Sequence, residues 1–224
     1  MRQVVEIAER ILEMRNEMPV EQGLLAGISG IDASGKGFFA AQVVDQLQRH
    51  SIKTAPINVD GWLNFPGVRF GGDEMGKHFY DHALRLDEMF ARLILPLNRG
   101  RSIRLDAELT AETARAYHQF EYVFDNIDVI LLEGIFIFKN QYIEHFDLKI
   151  WIECSFETAL RLAIARSQEG LDPVQTITAY ETIYFPAQRF HFELDDPQST
   201  VAFTITNDAR HKLTGLPLGS ERIE

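Results

Sequence analysis

The sequence predicts an α/β fold: a mostly parallel sheet with helices on both faces, a small lid and a projecting β-hairpin. Three observations carry that reading. Short apolar runs at 24–29, 54–59, 128–133, 148–153 and 201–206 alternate with stretches of helical periodicity. That order yields parallel strands joined by crossover helices. A glycine-rich octapeptide separates the first of these runs from the helix after it, and two runs end in acids, Asp60 and Glu133.

Taken in order, residues 4–18 place Val4, Ile7, Ala8, Ile11, Leu12 and Met14 at mostly helical spacing, and Pro19 stops that helix. The first strand, 24–29, leads through the glycine-rich loop to a helix over 38–49. The second strand, 54–59, ends at Asp60 and opens into a loop, 61–76, rich in glycine and aromatic residues. Residues 80–98 read as one helix. Residues 102–109 and 118–124 each alternate apolar with polar, so they pair as a hairpin, with a helix over 110–124 as the alternative. Ser155 caps a helix over 155–167, with Glu157 in its first turn. Pro173 starts a further helix running towards Phe192, and the tail beyond Asp208 reads as loosely ordered. The expected organisation is one domain over 1–224, with an N-terminal helix at 1–18 and a lid at about 161–175.

Composition narrows the function classes. A chain of 224 residues with 46% hydrophobic and 25% charged residues suits one globular domain with a real core. The net charge of −11 argues against non-specific nucleic-acid binding, which needs a basic surface. A single cysteine, Cys154, forbids an intrachain disulfide and points to a reducing, cytoplasmic setting. No apolar run is long enough to span a membrane, and the N-terminus lacks a signal-peptide pattern.

The octapeptide Gly30-Ile31-Asp32-Ala33-Ser34-Gly35-Lys36-Gly37 carries the chemistry. Strand, glycine-rich loop, then helix is the context of a phosphate-binding P-loop. Backbone N–H groups of Gly30, Asp32, Ala33, Ser34, Gly35, Lys36, Gly37 and Phe38 would cradle an anion at the helix N-terminus. Lys36 adds a full positive charge. The motif wants Ser or Thr after Gly-Lys as a Mg²⁺ ligand, and Gly37 stands there instead. In an open parallel sheet the ligand lies beyond the carboxyl ends of the strands, where Asp60 and Glu133 fall. Asp60, before a mobile-looking loop, takes the role of general base. Glu133 takes the metal side. Arg161 and Arg166 precede Gly170, and an arginine there would close over a transferring phosphoryl group. The alternative for both arginines is a solvated helix face paired with Glu157 or Glu169.

These residues resemble the uridine kinase family, within the group that includes phosphoribulokinase and pantothenate kinase. The resemblance rests on short motifs in order: 27–36 for the P-loop, Val59-Asp60-Gly61-Trp62, Tyr80-Asp81-His82, Leu132-Glu133-Gly134-Ile135-Phe136, the strand 147–152, the arginines from Arg161 to Arg166, the segment 180–186 and Thr204-Ile205-Thr206-Asn207. It spans roughly 24–208. It implies ATP and Mg²⁺ as cofactors and phosphoryl transfer to a sugar-type hydroxyl. Asp60 matches the family's base, Asp81 an acid on ribose hydroxyls, and Arg166 a lid arginine; Trp62, Tyr80 and His82 fall in the acceptor-site motifs. The family's Tyr–His pair for the pyrimidine has no residue-for-residue match, although Tyr117 and His118 lie in that region. Open alternatives are a pantothenate- or phosphosugar-type acceptor, or a nucleotide-binding regulator with weak or no transfer. The N-terminal helix and the aromatic hairpin are the two candidate faces for a homo-oligomer contact.

Overall fold

The computed structural model describes residues 2–111, 113–114, 116–167 and 170–208. Helix α1 (Arg2–Glu17) buries Val4, Ile7, Ala8 and Ile11 along one stripe, as an amphipathic helix must. Strand β1 (Leu24–Gly30) is buried throughout and leads to α2 (Lys36–Arg49). Strand β2 (Thr54–Asn58) runs into a 3₁₀ turn, Val59–Trp62, and then two helices, α3 (Pro66–Arg69) and α4 (Met75–His82). Helix α5 (Leu86–Met89), a π turn (Phe90–Ile94) and α6 (Leu95–Gly100) run on from one another. Strands β3 (Ile103–Leu109), β4 (His118–Phe124), β5 (Val129–Glu133) and β6 (Leu148–Glu153) follow. The chain then forms α7 (Phe156–Arg166), α8 (Pro173–Ala179), a second π turn (Tyr180–Tyr184), α9 (Phe185–Asp195) and β7 (Phe203–Thr206).

Five strands form one wholly parallel sheet in the order β2-β5-β1-β6-β7. Successive residues of a strand face opposite sides, and both sides are apolar here. On one side Ala26, Ile28, Leu131 and Ile150 pack against α1 and α2. On the other, Leu25, Ile130, Leu132 and Trp151 share a core with residues of α4–α7, α9 and the hairpin. The register sets Asn58 of β2 beside Glu133 of β5, and Glu133 beside Ile28 of β1. The ends of β2 and β5 therefore flank the loop that leaves β1. They are tightly packed: a Cβ on Gly134 would sit 2.1 Å from a Val59 methyl.

The hairpin forms as a separate two-stranded sheet, with register from Ile103↔Phe124 to Leu109↔His118; residues 118–124 are strand, not helix. The single helix expected over 80–98 is broken. It starts earlier, at Met75, and stops at His82, because the loop after β2 takes over the hydrogen bonds a continuing helix would use. Asn64 N–H donates to Ala83 O at 2.9 Å, the Asn64 amide to His82 O at 2.9 Å, and Arg85 N–H to Trp62 O at 2.8 Å. Both π turns end just before a proline, Pro96 or Pro186. Proline lacks an N–H and its ring crowds the preceding turn, and one widened turn relieves both. Ser155 caps α7 as expected, accepting from Thr158 N–H. The tail beyond Asp208, and residues 168 and 169 of the expected lid, lie outside the described residues. Among the described residues no helix is long and apolar enough to cross a membrane.

Candidate active site

The loop between β1 and α2 wraps tightly. Gly35 has φ +90°, a region that favours glycine, and a Cβ there would lie 2.7 Å from the Asn207 amide. Asn207, immediately after β7, donates to Ser34 O at 2.7 Å, so the last strand clamps the loop. Lys36 is buried and donates from Nζ to Ile31 O at 2.9 Å. Gly37 has an ordinary backbone and open space beside it. The nearest atom to a Cβ there would be Glu133 Oε2, at 3.9 Å.

Asn58, which the sequence did not single out, ties the two acids together. Its Oδ1 accepts from Asp60 N–H at 2.6 Å, forming the cap of the 3₁₀ turn, while its Nδ2 donates to Glu133 Oε2 at 2.7 Å. An Asn two residues before Asp60 is the one sequence signal for such a turn. Burial lifts the Glu133 carboxyl to about 7, with Lys36 pulling it down and Asp60 and Asp32 pushing it up. Asp60 opens to the cavity but is hemmed in by protein. That desolvation raises its pKa too, against the pull of Lys36.

Asp32 has the opposite balance. Burial penalises its charge, yet Arg166, Lys36 and Tyr180 together outweigh the penalty and hold its pKa below the usual carboxylate range. Arg166 Nη2 lies 3.3 Å from Asp32 Oδ1 and 3.2 Å from the Tyr180 hydroxyl, which itself donates to Asp32. Tyr180 reaches this position from the second π turn. An arginine of α7 and a tyrosine beyond α8 thus both meet the P-loop acid.

Asp32, Lys36, Asp60, Glu133 and Arg166 line one cavity of about 570 Å³, a size suited to small-molecule ligands. Ala33, Gly35, Gly37 and Phe38 also line it. Gly30 and the fully buried Ser34 do not border it. Its far wall carries Leu63, Arg69, Phe70, Phe79, Tyr184 and Gln188.

The acceptor-site residues that the resemblance pointed to are not on this wall. Trp62 is fully buried and donates to the Tyr122 hydroxyl at 3.2 Å. Tyr80 turns inward to Asp195 at 2.5 Å. Asp81 is exposed and paired with Lys77 at 2.6 Å. His82 is exposed with its ring against His78. Each residue of a helix turns about 100° from the last, so α4 offers the cavity Phe79 rather than Asp81. Arg161 stands exposed on α7, away from the cavity, and so does His118 on β4; Tyr117 packs on Phe65.

Among the described residues no group of three His, Cys, Asp or Glu could chelate a metal alone. Mg²⁺ in nucleotide sites takes one or two carboxylates, several waters and the phosphates. Glu133 and the open space at Gly37 fit that requirement.

No family model matches the sequence. The uridine kinase of Brevibacillus brevis is 24% identical over 206 residues, covering 89% of this chain and 92% of the relative. A solved structure described as a possible uridine kinase from Bacillus stearothermophilus superposes with a TM-score of 0.67 at 18% identity, over 89% of this chain and 99% of that one. D-glycerate 3-kinase from Cryptococcus neoformans superposes with a TM-score of 0.66 at 12% identity, over 95% of this chain and 98% of the other. The chain is thus similar in sequence to proteins named uridine kinase and similar in fold to a possible uridine kinase.

Proposed function

We propose that this protein is an ATP-dependent kinase that transfers the γ-phosphoryl group to a hydroxyl of a nucleoside or a related sugar or polyol. The observation that carries this is the convergence of Lys36, Asp60, Glu133, Asp32 and Arg166 on one cavity at the carboxyl end of the parallel sheet. A protein that only binds nucleotide needs the P-loop but not a second-strand acid facing the same space.

Each group has a task that follows from its surroundings. The P-loop amides and Lys36 hold the phosphates at the N-terminus of α2. Asp60 orients the acceptor hydroxyl and takes its proton, and its raised pKa makes it the stronger base. Glu133 would hold Mg²⁺, which when bound neutralises charge on the β- and γ-phosphates. Asn58 positions both acids. Arg166 sits where it can exchange Asp32 for the charge that builds on the transferring group.

Asp60→Asn tests the reading. Loss of a general base costs about 10²–10⁴-fold in transfer rate, while ATP affinity stays nearly unchanged because the P-loop is intact. Acceptor-dependent ADP release that survives the substitution would remove Asp60 from the chemistry. One observation favours a second reading, a nucleotide-binding regulator with little transfer: Gly37 lacks the hydroxyl that ligates Mg²⁺ in a P-loop. ATP binding with no acceptor-stimulated turnover would support that reading over the first.

A further inference from the structure

Gln188 lies on α9 and is 1% exposed, yet it lines the cavity. Neither its Nε2 nor its Oε1 has a hydrogen-bond partner. Buried amides in folded proteins are almost always paired, because leaving one unpaired is costly. The fold does not require a glutamine here; a leucine of similar volume would fill the position without that cost. The residue borders the cavity, where a ligand could supply the partners that the protein does not.

The position is also rigid. Gly76 of α4 packs so closely on the start of α9 that a Cβ would sit 2.4 Å from Pro186 Cβ. Tyr184 and Gln188, one helical turn apart, face the same way, and both border the cavity. Around them the wall is mostly apolar or aromatic, with Leu63, Phe70, Phe79 and Ile135, and Arg69 is its one charged member. A bare sugar or polyol needs polar partners for each hydroxyl, and this wall offers few. Aromatic faces favour a flat ring.

We propose that Gln188 selects the acceptor, its amide pairing side by side with a planar edge that presents one donor next to one acceptor, the edge of a heterocyclic amide or amidine. This rests on the kinase reading for the identity of the cavity. It assigns base recognition to Gln188 of α9, which no motif of the family resemblance includes, rather than to the hairpin.

The test is Gln188→Leu, read in two ways. Without ligand, the variant should melt higher than wild type, by about 2–4 °C for each kcal/mol recovered. With ligand, affinity for uridine and cytidine should fall at least about 10-fold, the equivalent of one lost net hydrogen bond or more, while ATP affinity changes less than twofold. Nucleoside affinity is taken from calorimetry with a non-hydrolysable ATP analogue present, and from KM where turnover occurs. Ribose and glycerate serve as acceptors without the planar edge. A variant that melts lower than wild type, or one whose nucleoside affinity is unchanged, overturns the proposal. So does a wild-type protein that binds ribose or glycerate but no nucleoside, or none of these acceptors. Failure of the kinase reading looks different: no acceptor stimulates ATP consumption, while Gln188→Leu still weakens nucleoside binding.

Discussion

Replacing Glu133 by glutamine isolates what it costs to hold a charge at the end of β5. The side chain is 8% exposed and its carboxyl is pushed up from 4.5 to about 7. A carboxyl that binds its proton more tightly when folded favours the native state at low pH. That contribution is complete below about pH 4.5 and is lost as pH rises through about 7. At about 1.36 kcal/mol per pH unit, the gap from 4.5 to about 7 corresponds to about 3 kcal/mol. Glutamine keeps the shape and can still accept from Asn58, but it carries no charge. Without nucleotide or Mg²⁺, Glu133→Gln should match wild type at pH 4.5 and be more stable by up to about 3 kcal/mol at pH 8.5. For a domain of this size that is a rise in Tm of roughly 6–12 °C. Paired thermal melts at the two pH values measure it. Equal stability at pH 8.5, or a less stable variant, would mean that Lys36 fully compensates the buried charge, and the reasoning would fail. The same variant should lose Mg²⁺-dependent transfer, because the amide cannot replace the carboxylate as a ligand.

Three further outcomes are expected. Gly37→Ser should fold normally, since the nearest atom to its Cβ is Glu133 Oε2 at 3.9 Å. Its hydroxyl should lower the Mg²⁺ concentration for half-maximal activity, and an unchanged Mg²⁺ titration would count against Glu133 as the metal side. The acid limb of kcat/KM should lie above the ordinary Asp range, because Asp60 must be ionised to act and its pKa is raised; a limb unchanged from an unperturbed Asp would argue against it as the base. Gly134→Ala should destabilise by about 1–3 kcal/mol, the usual range for overpacking, because its Cβ would meet Val59 at 2.1 Å; a denaturation midpoint equal to wild type would show that the ends of β2 and β5 can part.

Much of what borders the cavity on the side of the glycine-rich loop was legible in the chain itself. A P-loop is local: its glycines, Lys36 and the helix after it are contiguous. Strand ends are local as well, so Asp60 and Glu133 could be located from apolar runs that stop at an acid. Their adjacency then followed from the rule that ligands gather at the carboxyl ends of parallel strands. The hairpin was readable from its alternation, and the cap at Ser155 from residue type alone.

The wall across the cavity was not legible, for a physical reason. It is assembled from the chain just after the 3₁₀ turn, the end of α3, one face of α4 and residues 184–188, the last of these more than 100 residues from the others. Which side chain of α4 reaches the cavity depends on the rotation of that helix. Its rotation is fixed by packing on α9 and by hydrogen bonds from the loop at Asn64, none of which the periodicity of residues 75–82 encodes. The motif Tyr80-Asp81-His82 therefore suggested an acid at the acceptor, whereas the fold turns Asp81 to Lys77 and brings Phe79 inward. Asn58, Tyr180 and Gln188 became visible only in three dimensions, because a buried amide or hydroxyl has meaning only through what it faces. The sequence by itself determined the parallel α/β framework and the glycine-rich loop after its first strand; tertiary packing alone decided which side chains meet across the cavity beside that loop.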